Sequence, residues 1–155
     1  MKKILPIIFG LVVGLVFTKL FYSSYNATMT FNESVNVYVF QQGVYSSLDS
    51  VKENVNLNYY IYEKNGDMYY VYSAFTTNSN NVDKLKGYFE DLGYSIYVKE
   101  VNMNANNFTE TLKQYDLLLE KTNDQKTIEA INANVLSVYE EVYNENKEYS
   151  SEWSP

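Results

Sequence analysis

The sequence predicts an α+β protein: a four-stranded antiparallel sheet with two helices on one face, preceded by an apolar N-terminal helix and followed by a helical hairpin. Three observations predict it. One phrase is written twice, VYVFQQGVYSS at 37–47 and MYYVYSAFTT at 68–77, so that Tyr45-Ser46-Ser47 recurs as Phe75-Thr76-Thr77. Two tyrosine-rich alternating runs flank Asn65-Gly66-Asp67, and Asn-Gly is the strongest short hairpin signal. Gly93 closes a run in which Val82, Leu85, Phe89 and Leu92 recur at helical spacing. The resulting order, strand, helix, strand and again strand, helix, strand, is a duplicated βαβ unit.

The N-terminal segment comes first. Residues 4–22 form an apolar run broken only by Thr18 and Lys19, about the ~20 residues that a membrane-spanning helix needs. Lys2 and Lys3 precede it, which places the N-terminus in the cytoplasm and the remainder outside the membrane, with Lys19 reaching the far interface. A cleaved secretory signal is the competing reading, but its apolar core is shorter and residues 21–27 offer a poor cleavage site. A polar linker at 23–34 follows. Asn26, Asn32 and Asn107 open glycosylation patterns, which chance explains in a chain this rich in asparagine.

Residues 35–42 alternate as a strand, and Gly43 is expected to end it. Ser46, Ser47 or Asp49 can cap a short helix through about residue 55. Residues 58–64 and 68–75 are the hairpin strands. Residues 78–81 offer caps for the second helix, and residues 94–101 make the fourth strand, ending a domain at 35–103.

Beyond it, Phe108, Leu112, Tyr115 and Leu119 share heptad spacing, as do Ile128, Ile131, Val135, Val138 and Val142. Asn107-x-x-Glu110 and Thr122-x-x-Gln125 read as capping boxes, so a helical hairpin over 104–146 is predicted, with its turn at 122–124. It packs on the domain or serves as an arm for a protein partner. The acidic end, with Glu145, Glu148 and Glu152, leads to a loose tail at 147–155.

Composition excludes much. With no histidine and no cysteine, the chain lacks disulfides, thiol nucleophiles, imidazole bases and the usual zinc ligands. A net charge of -7 argues against nucleic acid, which needs a basic field around its phosphates. No cofactor motif is present. Glu63 and Asp67 flank the hairpin turn as a carboxylate pair, but turn polarity accounts for them better than glycoside hydrolysis. The 17 tyrosines, each an apolar ring with a hydroxyl tip, favour binding over catalysis.

Gln41-Gln42-Gly43-Val44-Tyr45-Ser46-Ser47, the Asn-Gly hairpin, Tyr70-Val71-Tyr72-Ser73-Ala74-Phe75, and the helix ending in Leu92-Gly93-Tyr94 resemble the SPOR domain family over residues 35–103. The resemblance implies a ribonucleoprotein-like fold and binding to peptidoglycan glycan strands in bacterial cell division or sporulation. An anchored domain facing outward fits it. Ser73 stands where the family's second half usually has glycine, and the first helix is short. Matching the family pattern puts Gln41 and Tyr69 at ligand-facing positions. Strand alternation adds Val39 beside Gln41, and Val71 beside Tyr69 and Asp67, with Tyr60 and Tyr62 as neighbours; Phe40, Tyr70 and Tyr72 are expected to point toward the helices. The alternative function is a non-enzymatic interaction subunit of an envelope or sporulation complex.

Overall fold

The computed structural model describes residues 33–145. The expected anchor at 4–22, most of the linker and the expected tail lie outside the described residues, and among the described residues no helix is long and apolar enough to cross a membrane. The elements are β1 (Ser34–Tyr45), α1 (Leu48–Asn54), β2 (Ile61–Asn65), β3 (Met68–Thr76), α2 (Ser79–Asp91), β4 (Tyr97–Asn104), α3 (Asn107–Lys121) and α4 (Gln125–Glu145). The strands form one antiparallel sheet in the order β2-β3-β1-β4. Among the described residues the fold class is therefore α+β, a four-stranded sheet with four helices.

Local chemistry sets most boundaries. Ser47 caps α1, its side chain accepting from the Ser50 amide at 3.1 Å, and Asn78 caps α2 by accepting from the Asn80 amide at 2.9 Å. The repeated phrase thus delivers a strand into a capped helix both times. Gly66 (φ 61°) makes the hairpin turn and Gly93 (φ 87°) ends α2, each in a left-handed conformation that costs glycine nothing.

Several expected boundaries move. Gly43 does not end β1, which runs on to Tyr45; a Cβ at 43 would lie 2.9 Å from the Tyr45 ring, which folds back so that its hydroxyl donates to Gln42 Oε1 at 2.8 Å. β4 starts at Tyr97 rather than 94, because Gly93 N and Tyr94 N are engaged closing α2, on the Glu90 and Phe89 carbonyls at 2.9 Å each. β2 begins at Ile61 rather than 58. The N-cap of α3 is Asn106, in a capping box with Thr109, one residue before the expected Asn107 box. α4 is opened by Asp124, which accepts from the Thr127 amide at 2.9 Å, instead of by Thr122.

Two bulges interrupt the β1–β3 ladder. Phe40 pairs with Ala74 but Gln41 pairs with Tyr72, leaving Ser73 extra; then Gly43 pairs with Val71, leaving Gln42 extra. Paired residues share a face. One face therefore carries Phe40, Ala74, Val71 and Tyr69, and α1 and α2 lie on it: Val51 and Val55 pack on Val71, and the Phe89 ring sits 6.3 Å from Phe40. The opposite face carries Val39, Phe75, Tyr72, Tyr70 and Lys99.

The hairpin closes over the Phe75 end of that opposite face. Tyr139 of α4 stacks on Phe75 at 4.7 Å and 17°, and Phe108 of α3 meets both rings edge-on at 5.5 and 5.2 Å. Phe108, Leu112, Tyr115 and Leu119 of the first heptad run and Ile128, Ile131 and Val135 of the second are buried, whereas Val138 and Val142 are only half-buried and Leu136 and Tyr139 take inner positions instead. β2 pairs β3 only as far as Tyr72, and α4 packs along the stretch of β3 left open beyond it. Asp116 of α3 ties the hairpin to the β3–α2 turn, accepting from the Thr76 hydroxyl, the Thr77 amide (2.8 Å) and the Thr77 hydroxyl (2.6 Å). Lys84 of α2 donates to the carbonyls of Leu119 (2.8 Å), Glu120 (3.0 Å) and Thr122 (2.8 Å), satisfying the C-terminal groups of α3.

Candidate ligand-binding face

With the Phe75 end covered, the half of that face toward the β2–β3 turn presents a shelf of polar and aromatic side chains. Cross-strand pairing sets its order: Gln41 lies between Tyr97 of β4 and Tyr72 of β3, and Val44 lies beside Tyr70. Tyr97 is 65% exposed and Val44 39%, while Gln41, Tyr70 and Lys99 are partly buried. Lys99 lies over the ring of Tyr72 at 5.1 Å and that of Tyr70 at 6.0 Å, with its Nζ 3.5 Å from the Tyr72 hydroxyl.

Glu63 of β2, opposite Tyr70, marks the boundary with the covered half, and the Tyr139 hydroxyl donates to its carboxylate. Burial raises the Glu63 carboxyl above its ordinary range, against the pull of that hydrogen bond and of Lys99. Burial also lowers the Lys99 ammonium, which the Glu63 charge opposes, and raises the Tyr139 and Tyr72 hydroxyls. The covered end is thus a dry, charge-poor wall, and the exposed end offers rings, an amide and one ammonium.

The six residues expected from the sequence do not share a face. Gln41 and Val39 lie on the shelf's side, but Val39 is fully buried. Tyr69 and Val71 lie on the helix side, where Val71 is fully buried against Val51 and Val55, and Tyr69 packs against the same cluster. Tyr62, 46% exposed, meets Tyr69 edge-on at 6.0 Å on that side, and Tyr60 packs against the α1 cluster. Ser73 is the cause: one extra residue in β3 shifts the alternation, so that Tyr70 and Tyr72, expected toward the helices, take the face of Phe75, while Phe40 does turn toward α2.

Sequence reasoning missed Tyr97 and Lys99, whose only signal was alternation along β4. Among the described residues no group of three or more acidic side chains is placed to hold a metal ion. The shelf can stack rings and exchange hydrogen bonds, and it carries no nucleophile–base pair. No family model, curated protein or solved structure matches this chain.

Proposed function

We propose that the chain is a non-enzymatic binding protein of the bacterial cell envelope, anchored in the membrane by residues 4–22, that holds peptidoglycan glycan strands on the shelf of Gln41, Tyr70, Tyr97 and Lys99 at sites of division or sporulation. The observation that carries this reading is the shelf itself: the exposed Tyr97 ring lies beside the Gln41 amide, with the half-buried Tyr70 and Lys99 on the same face of an otherwise packed sheet, which suits the alternating apolar faces and hydroxyl edges of a glycan. The SPOR-like sequence features over 35–103 and the strand order β2-β3-β1-β4 support it further.

A second reading, an interaction subunit of an envelope or sporulation complex, draws on one observation: Tyr139 and Phe108 cap half of the face, so a long strand has no continuous track across the sheet. Cosedimentation of the full chain with wall sacculi, with and without amidase treatment to strip stem peptides, separates the two. Glycan binding is expected to survive moderate salt, since rings and amides carry it. Gln41→Ala with Tyr97→Ala is expected to abolish it at unchanged melting temperature. Undiminished binding by the folded double variant refutes the shelf, and an unmutated chain that ignores sacculi leaves the interaction subunit as the better reading.

A further inference from the structure

A separate concavity of about 480 Å³ opens beside Ser73, where β3 runs past the end of β2 and the α1–β2 connection, the end of α2 and the first turns of α4 meet. That volume lies in the usual range for small-molecule sites. Tyr59, Tyr88 and Tyr94 give it aromatic walls, and Asn58, Glu129 and Asn132 give it polar ones.

Asn132 is the telling residue. It sits on the inner side of α4 at 5% exposure, and its side-chain nitrogen donates to no group among the described residues. A buried amide donor left unpaired forfeits its hydration with nothing in return, so its place in a packed helix calls for an acceptor. Close by, Glu129 accepts from Asn58 Nδ2 at 3.3 Å through one carboxylate oxygen. The carboxylate also reaches the Tyr88 hydroxyl electrostatically, adding to the burial that pushes that hydroxyl up to about 12. The Tyr94 hydroxyl accepts from the Asn56 amide at 3.0 Å, which fixes the ring at the rim, while Tyr59 stands 50% exposed at the mouth.

We infer that this pocket is a binding site for a single uncharged, hydroxyl-bearing sugar ring. The chemistry narrows the ligand by elimination. Among the described lining residues none is a lysine, and Glu129 repels anions, so phosphates and nucleotides are disfavoured. An alkylammonium would satisfy Glu129 and the rings but leave the Asn132 donor unpaired, and an apolar guest would offer a partner neither to that donor nor to the carboxylate. A sugar hydroxyl both donates and accepts, so one ring can pair the Asn132 amide and the Glu129 carboxylate while its C–H face lies on a tyrosine. The site shares no residue with the shelf and does not depend on wall binding there.

The test uses the full chain in a polyoxyethylene detergent, which carries neither sugar nor ammonium, titrated with N-acetylglucosamine and with glucose while side-chain amide and tyrosine signals are followed by NMR. Saturable millimolar binding of at least one sugar that shifts the Asn132 amide is expected, as is a loss of about tenfold or more in Asn132→Leu and in Tyr59→Ala. Tyr59 is exposed, so its variant keeps the test decisive should Asn132→Leu fail to fold. Absence of saturable binding overturns the inference. So does binding of tetramethylammonium but neither sugar, and so does sugar binding that survives both variants but is lost in Gln41→Ala, which would put the sugar on the shelf.

Discussion

Replacing Asp116 tests whether the hairpin is bolted to the sheet or merely leans on it. The carboxylate is 4% exposed and accepts three hydrogen bonds from Thr76 and Thr77, joining α3 to the turn that launches α2. Asp116→Ala removes the acceptor for all three and strands the Thr77 amide, whereas the two hydroxyls can rotate to other acceptors. The gross loss is about 4 kcal/mol, and relief from burying a carboxylate returns about half, for a net cost of about 2 kcal/mol. In a chain of this size that corresponds to a fall of about 4–8 °C in melting temperature.

Asp116→Asn keeps an acceptor for the Thr77 amide and is expected to stay within about 1 kcal/mol of the unmutated chain. Burial, opposed by the hydrogen bonds from Thr76, Thr77 and Asn81, raises the Asp116 carboxyl above its ordinary 3.8, so the folded chain holds that proton to higher pH than the unfolded chain does. The stability contributed by the protonated form is complete below 3.8 and is lost as pH rises through the folded-state value. Relative to Asp116→Asn, the unmutated chain should therefore lose stability as pH rises across that window. Thermal melts followed by circular dichroism over a pH series measure both effects. An alanine variant that melts within about 1 °C of the unmutated chain would show that the bolt contributes nothing, and an asparagine variant as damaged as alanine would show that charge, not acceptor geometry, is what matters.

Three further outcomes follow from the packing. Val135, 2% exposed on the inner seam of α4, should not tolerate Asp: a cost of about 2 kcal/mol or more is expected in urea unfolding. A chain ending after residue 104 strips Phe108 and Tyr139 from Phe75, so its amide NMR spectrum should collapse to poor dispersion; a well-dispersed spectrum would make the sheet an independent unit. Two glycines should respond in opposite senses to alanine: Gly93, at φ 87°, should lose about 1 kcal/mol or more, while Gly87, inside α2 with open space around it, should gain about 0.5–1 kcal/mol, both read from melting curves.

The elements were legible because their signals are local. Hairpin glycine, helix caps and heptad spacing each act within a few residues, and the order of strands and helices followed from them. Boundaries slipped where one residue served two purposes, as when Tyr94, with β potential, was drawn into the close of α2. The candidate site was less legible because it depends on register. Nothing in YYVYSAFTT announces that Ser73 sits outside the ladder, since a bulge is decided by the partner strand and by what packs above it. Gln41 lies between the two register shifts, but β1 carries no extra residue before it, so it keeps the face of Val39 that simple alternation assigns it. The pocket beneath α4 was invisible, as it joins residues from four separate segments.

Ser73 explains how the two faces come to differ in use. The bulge disturbs the ladder at Phe40, and the Ser73 hydroxyl, 1% exposed, donates to the Phe40 carbonyl at 3.2 Å, a bond that glycine at this position could not make. Without the extra residue, Val71 and Tyr69 would turn to the face of Phe75, and Tyr70 and Tyr72 would turn toward α1. Val71 would then leave Val51 and Val55, and a tyrosine hydroxyl would enter that apolar cluster without a partner. The bulge keeps valine in the core beneath α1 and sends two tyrosines to the other face. One of them, Tyr72, is sealed beside Tyr139, and the other, Tyr70, is left beside Lys99 at the open shelf. The division of that face into a closed end and an open end therefore begins with a single serine in β3, and α4 only completes it.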